Sequence, residues 1–216
     1  MYSSLLISIG RYALLLVSTA AMVLLAQAND LIAIFIALET TSIAQFTMAG
    51  IGRDARSSEA GLKYLLTGAI AAAVLLYGFV FLFGVAGTTS LEGIAEVVQS
   101  GDEDLKLALL LGFVFIVAGL GFKMSLVPSH GWVPDVYQGA PPPVASFLSV
   151  ASKAAGFAVM LRILYVGLGG HYDADVWANN LYRNDGPAHH YLQVELVGTR
   201  TNRSAIGARV AAFAAG

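Results

Sequence analysis

The 216-residue sequence contains no cysteine. That excludes disulfides, iron–sulfur ligation and thiolate zinc sites within the chain. Charge is scarce too: 12% of residues are charged, where an average soluble domain has about 25%. Neither sign dominates, and the net charge of −2 with an isoelectric point near 6.0 gives no electrostatic footprint for a nucleic-acid partner. The four histidines include no H-x-x-x-H or H-E-x-x-H spacing, so no metal site is expected; His189 and His190 are simple neighbours. Proline is confined, with five of its six occurrences between Pro128 and Pro143.

Apolar residues fill what charge leaves out. They make up 57% of the chain, for a mean hydropathy of +0.72. A bilayer crossing needs roughly 20 mostly apolar residues, and five stretches qualify, at about 5–28, 31–50, 62–86, 105–127 and 141–168. Arg11 interrupts the first, and a second span follows at once, which separates it from a secretory leader. The fold expected over 1–168 is therefore an all-α transmembrane bundle. "GTTSLEGIAEVVQSGDEDLK" is an acidic connector able to hold a short amphipathic helix.

Basic residues mark the sides of the membrane. Arg53, Arg56 and Lys63 cluster in and beside the loop after the second span, and the later connector is acidic. The positive-inside rule then puts the N-terminus and the 128–140 segment in the cytoplasm, with the fifth span ending outside. Arg162 near that end dissents, unless its long stem snorkels or pairs within the bundle.

Three charges fall inside apolar runs: Glu39, Lys123 and Lys153. Each costs about 2.5–3.5 kcal/mol at a helix centre on insertion scales. A lone lysine is explained as well by a static ion pair or by snorkelling. Two lysines and a glutamate on three spans favour a buried polar path, in which protons move as the spacing of the charges changes. Lys63 and Tyr64 stand at the expected start of a span, where a cation and an aromatic ring anchor a helix to the interface. Gly119, Gly121 and Pro128 surround Lys123, and they predict a break or kink in the fourth span. Glycines in such a run also allow close helix packing. Nonhelical backbone at membrane depth needs protein or water around it, and interrupted helices mark ion sites in transporters.

The motifs "ALETTSIAQF", "EAGLKYLLTGA", "GFKMSLVP" and "SHGWVPDVYQGAPPPVASFLSVASKAAG" occur in order. Over about residues 10–166 the chain resembles the N (subunit 2) family of antiporter-like membrane subunits of proton-pumping NADH:quinone oxidoreductase, respiratory complex I. That resemblance implies one five-helix unit of an inverted-repeat fold, with the fourth helix broken. It implies proton-path roles for Glu39, Lys63, Lys123 and Lys153. It also implies no cofactor on this chain, NADH and quinone being used elsewhere in the complex. The implied partners are other membrane subunits of complex I and the lipid bilayer, in a bacterial inner membrane. The second inverted unit of the family has no counterpart here.

Composition changes at about residue 169. The 169–216 tail is polar, with the alternating run "YLQVELVG" suggesting a strand. "NNLYRNDG" and "HHYLQVELVGTRTNRSAIGARV" resemble the FG-GAP-like end and the ASPIC/UnbV domain of exported proteins, in keeping with an extracytoplasmic tail. "DADVWAN" lacks the glycine and later acid of a calcium loop. Two partial resemblances in one chain suggest a truncated or misjoined reading frame, with a natural fusion as the alternative. The competing functional readings are an Mrp-type cation/proton antiporter subunit, an exported ASPIC/UnbV-type binding protein joined to a membrane segment, and a fusion without function.

Overall fold

The computed structural model describes residues 2–52, 54–100 and 103–167, so the 169–216 tail and its expected β character lie outside the described residues. Eight α-helices follow in chain order: α1 (Tyr2–Gln27), α2 (Leu31–Ala49), α3 (Ala55–Ala86), α4 (Leu91–Ser100), α5 (Glu103–Met124), α6 (Val133–Gly139), α7 (Pro142–Phe147) and α8 (Lys153–Gly167). A π-helical turn, Leu148–Ser152, joins α7 to α8 into one continuous span. Among the described residues, five helices are long and apolar enough to cross a membrane. The protein is a multi-pass membrane protein, all-helical among the described residues apart from one isolated bridge between Asp30 and Ser90. The acidic connector does form a short helix, α4, which packs on α8 and α3.

The third span starts seven residues before the expected position, at Ala55 rather than 62. Asp54 explains the difference. Its extended backbone and side chain cap the helix, with Oδ1 accepting from the Ser57 N–H at 2.9 Å. Ser57 is itself buried and donates to the Ala49 carbonyl at 2.8 Å, so a polar stretch becomes the first turns of a helix. At the other end Gly87 adopts φ +66 and closes α3 through its N–H to the Phe83 carbonyl at 2.7 Å.

Between helices in lipid there is little hydrophobic driving force, so close packing must hold them together. Helices α3 and α5 meet along glycines. A Cβ at Gly78 would lie 2.8 Å from the Gly112 carbonyl oxygen, and one at Gly119 would lie 2.8 Å from the Leu75 nitrogen. Leu25, Ile34, Leu75, Leu82, Ile116, Val159 and Ile163 fill the centre of the bundle. Leu16, Ile70, Leu107 and Leu161 are exposed on its outside, the surface lipid would cover.

The expected break in the fourth span falls later than the glycines that suggested it. Helix α5 runs through Gly119 and Gly121 and ends at Met124. Ser125 then turns to φ 60, its N–H reaching the Phe122 carbonyl at 3.1 Å while the Leu126 N–H reaches Gly121 at 2.8 Å. These two bonds form a Schellman closure with serine in the left-handed position. Gly119 serves the contact with α3 instead, and Pro128 lies in the turn beyond. The proline-rich stretch has an orderly use. Pro134 sits in the first turn of α6 and Pro142 opens α7, positions where a missing N–H costs nothing.

Candidate functional site

Helix α2 carries Glu39, Ser42 and Gln45 three residues apart, which keeps them along one side over two turns. Opposite them, α5 delivers Lys123 in its last turn. Lys123 is 3% exposed, and its ammonium donates to Gln45 Oε1 at 2.8 Å and to Ser42 Oγ at 3.2 Å. The same Gln45 oxygen receives Ser152 Oγ at 2.9 Å from the π-turn and the Tyr64 hydroxyl at 3.2 Å from α3. Its amide nitrogen donates to Ser18 Oγ of α1 at 3.2 Å. One buried amide thus touches every other span.

Lys123 therefore sits among neutral oxygens, with no carboxylate in direct contact. Glu39 is half-buried and interacts with it electrostatically, without an ion pair. Trp132, in the segment after α5, packs over the aromatic side of this cluster. Its ring stacks on Tyr64 at 4.4 Å and its Nε1 donates to the Phe122 carbonyl at 3.1 Å. Phe46 meets Tyr64 edge-on at 4.7 Å. Tyr64 is thus a buried member of the site, not the interface residue its sequence position suggested.

Lys153 is the first residue of α8, directly after Ser152. It is half-buried, and its ammonium lies 5.6 Å from the centre of the Tyr137 ring, within reach of a cation–π contact. The Tyr137 hydroxyl is buried without a hydrogen-bond partner. Lys63 lies apart from this cluster. It is 45% exposed and contacts both Glu59 and Asp135 at 2.7 Å, linking α3 to α6. The structure thus brings Lys123 into one cluster with Gln45, Ser42, Tyr64, Ser152 and Ser18, and leaves Lys63 outside it.

The dissenting Arg162 is satisfied within the bundle. Its Nε and Nη2 donate to Asn29 Oδ1 at 2.8 and 2.6 Å, and Nη1 donates to the Ala26 carbonyl at 3.2 Å, at the C-terminal end of α1. That end carries the negative pole of the helix dipole. Among the described residues, no three His, Asp or Glu side chains gather as a metal site.

Five apolar helices closed around a buried lysine define a multi-pass membrane domain with an internal cation. The family described as "NADH:quinone oxidoreductase/Mrp antiporter, TM" matches residues 28–178, and the chain belongs to that family. It is 52% identical over 171 residues to "NAD(P)H-quinone oxidoreductase subunit 2" of Synechococcus sp. (strain CC9902), covering 78% of this chain and 32% of the relative. It is 46% identical over 163 residues to "NADH-quinone oxidoreductase subunit N" of Paramagnetospirillum magneticum, covering 72% of this chain and 34% of the relative. Among solved structures it resembles a chain of respiratory complex I from Thermus thermophilus with bound aureothin. There the TM-score is 0.63 at 38% identity, covering 71% of this chain and 34% of that one. The chain spans about a third of the length of these relatives.

Proposed function

We propose that this chain works as part of a proton-translocating membrane subunit of an NADH:quinone oxidoreductase, coupling electron transfer in neighbouring subunits to proton movement past buried Glu and Lys residues. The observation that carries the reading is Lys123, buried in a span and held only by neutral oxygens. An ammonium in that setting responds strongly to charge placed near it. A carboxylate drawing closer favours the proton, and a second cation drawing closer expels it. Glu39 on α2 and Lys153 at the head of α8 supply one charge of each sign for such a sequence of steps. Lys63 belongs to the same path by resemblance, and its half-exposed side chain, paired with Glu59 and Asp135, suits a station in contact with water.

The names of the relatives support a quinone oxidoreductase over an Mrp-type antiporter. On this reading NADH and quinone are bound by partner subunits of the complex, in a bacterial inner membrane. The N-terminus and the 128–140 segment face the cytoplasm on this reading. For residues 169–216, an extracytoplasmic ASPIC/UnbV-like segment rests on the resemblance of "HHYLQVELVGTRTNRS". The family match crosses the proposed boundary at 168 and continues to 178.

Lys123→Ala and Lys153→Ala, each placed in the assembled complex, test the path. Proton uptake per NADH oxidised is expected to collapse in both, with the complex still assembled. Unchanged pumping in both overturns the assignment.

A further inference from the structure

Gln45 is the most connected side chain of the buried cluster, and nothing in its residue type marks it for proton chemistry. Its amide oxygen faces three donors, from Lys123 at 2.8 Å, Ser152 at 2.9 Å and Tyr64 at 3.2 Å. A carbonyl oxygen has two lone pairs, so three donors compete for it. The longest contact, from Tyr64, is the one held most weakly. Its amide nitrogen is engaged by Ser18 of α1, which fixes which end of the amide points at the lysine. Gln45 is fully buried, so water cannot relieve the competition.

We propose that Gln45 is a positioning residue that holds Lys123 for proton exchange and, through the same oxygen, ties the charge of Lys123 to the π-turn carrying Lys153. The proposal rests on the proton-path reading above. The ammonium has only donors, and it takes one of the two lone pairs of Gln45. When Lys123 gives up a proton, one donor becomes a lone pair, and its hold on the oxygen weakens. Ser152 and Tyr64 then bind the oxygen more firmly. Ser152 is the last residue of the π-turn and Lys153 the first of α8, so a change at Ser152 bears directly on the backbone that aims Lys153. Single π-turns inside α-helices are rare and frequently lie at functional sites. Gln45 itself gains and loses no proton. The proton passes between Lys123 and its titratable neighbours.

Those neighbours come from each element packed around the cluster. Helix α2 contributes Glu39, α3 contributes Tyr64, α6 contributes Tyr137 and α8 contributes Lys153. The contact from α1 is Ser18, which does not titrate. Glutamine at position 45 therefore supplies a dipole where a carboxylate would supply a permanent counter-ion. It holds the lysine without trapping its charge.

The test replaces Gln45 in the assembled complex by Glu and, separately, by Met, two side chains of similar length. Proton uptake and NADH oxidation are followed from acid to alkaline pH, and the assembled complex is quantified in the same membranes. With Gln45→Glu an ion pair holds the proton on Lys123, and the pumping profile moves to higher pH by about one unit or more. With Gln45→Met the acceptor is gone, and the profile moves to lower pH. Opposite displacements are not produced by a residue that only packs. If Gln45→Met fails to assemble, the isosteric Gln45→Glu decides alone. Lys123→Ala separates the two levels of the argument. Should Lys123→Ala leave pumping intact, the proton-path reading falls, and this inference with it. Should Lys123→Ala stop pumping while Gln45→Glu keeps the wild-type profile, the role of Gln45 alone is overturned.

Discussion

Lys63 and Lys123 make an instructive pair because the same ammonium is handled in opposite ways. Lys63 stands half-exposed with Glu59 and Asp135 each 2.7 Å away, a doubly paired cation that water can also reach. Lys123 is sealed from water, and its direct partners are an amide and a hydroxyl. Ion pairs at an exposed surface contribute little to stability, because water already solvates both partners. A buried charge without its own carboxylate is costly, and it persists where the structure satisfies it in other ways. The difference teaches that an exposed lysine can tie two helices through direct counter-ions, whereas a buried one can be satisfied by an amide and a hydroxyl alone.

Replacing each lysine by methionine gives the largest effect and puts the comparison at risk. Lys123→Met is expected to lower proton uptake per NADH by roughly tenfold or more, an equivalent of about 1.4 kcal/mol in barrier height. Lys63→Met, with the same lost charge, is expected to lower it less than about twofold, on the grounds that an exposed, doubly paired lysine is replaceable by water-borne groups. Proton uptake in energised vesicles measures both. Equal losses would break the comparison and show that the half-exposed station limits pumping as much as the buried one.

Much of this contrast was visible in the sequence, but unevenly. Glu39, Lys123 and Lys153 stand out as charges within apolar runs, and the five spans follow from length and hydropathy. Glu39, Ser42 and Gln45 even show their shared side through their spacing. Ser18 and Ser152 do not, since an isolated serine in a span is unremarkable until four other helices converge on one amide. Tyr64 was misread for a different reason. The cap at Asp54 lengthens α3 at its start, so a residue expected at the interface lies more than two turns inside the helix. The break in the fourth span was legible in kind but not in place. Glycine marks both loosened backbone and close packing, and only the neighbouring α3 decides which applies at Gly119.

Two glycines sharpen the comparison at smaller cost. At Gly139, in α6 beside the Lys63 cluster, an added Cβ would lie 2.6 Å from Ala60 Cβ and 2.7 Å from the Arg56 carbonyl oxygen. Backbone cannot yield easily, so Gly139→Ala is expected to destabilise by about 1–3 kcal/mol, with pumping per assembled complex unchanged. At Gly156 the added Cβ would meet Met124 Cγ at 2.9 Å and Lys123 Cγ at 3.5 Å. Those contacts are with side chain rather than backbone, and a side chain can yield by changing rotamer. Gly156→Ala therefore costs less stability than Gly139→Ala, yet it presses on the stem of Lys123 and lowers pumping. Thermal unfolding and proton uptake on the same preparations would show the two effects crossing over. A common ranking in both assays would mean that the two regions differ only in packing.

The smallest effect belongs to a carboxylate held, like Lys123, by neutral partners, but at a surface turn between spans. Asp30 caps α2, its Oδ1 accepting from the N–H groups of Ile32 at 2.8 Å and Ala33 at 3.2 Å. Its other oxygen accepts from the Thr89 hydroxyl, tying the α1–α2 turn to the segment before α4. The Thr89 bond is the main reason its carboxyl titrates below the usual range. Partial burial opposes it, and the Ala33 and Ile32 N–H groups assist it. A folded-state value below the unfolded one stabilises the fold at pH above about 3.9, and that contribution is lost as pH falls through the lower folded value. Asp30→Ala removes the cap and is expected to cost about 1 kcal/mol at neutral pH. Asp30→Asn keeps the cap, so it should lose less at neutral pH and flatten the acid side of the stability profile. Unfolding midpoints of the three proteins in detergent, from neutral pH to about pH 3, would measure this. Parallel profiles for wild type and Asp30→Asn would mean that the charge of Asp30 adds nothing to its cap. Neutral partners would then serve a surface carboxylate only as geometry, and the sensitivity to charge would belong to the buried site of Lys123 alone.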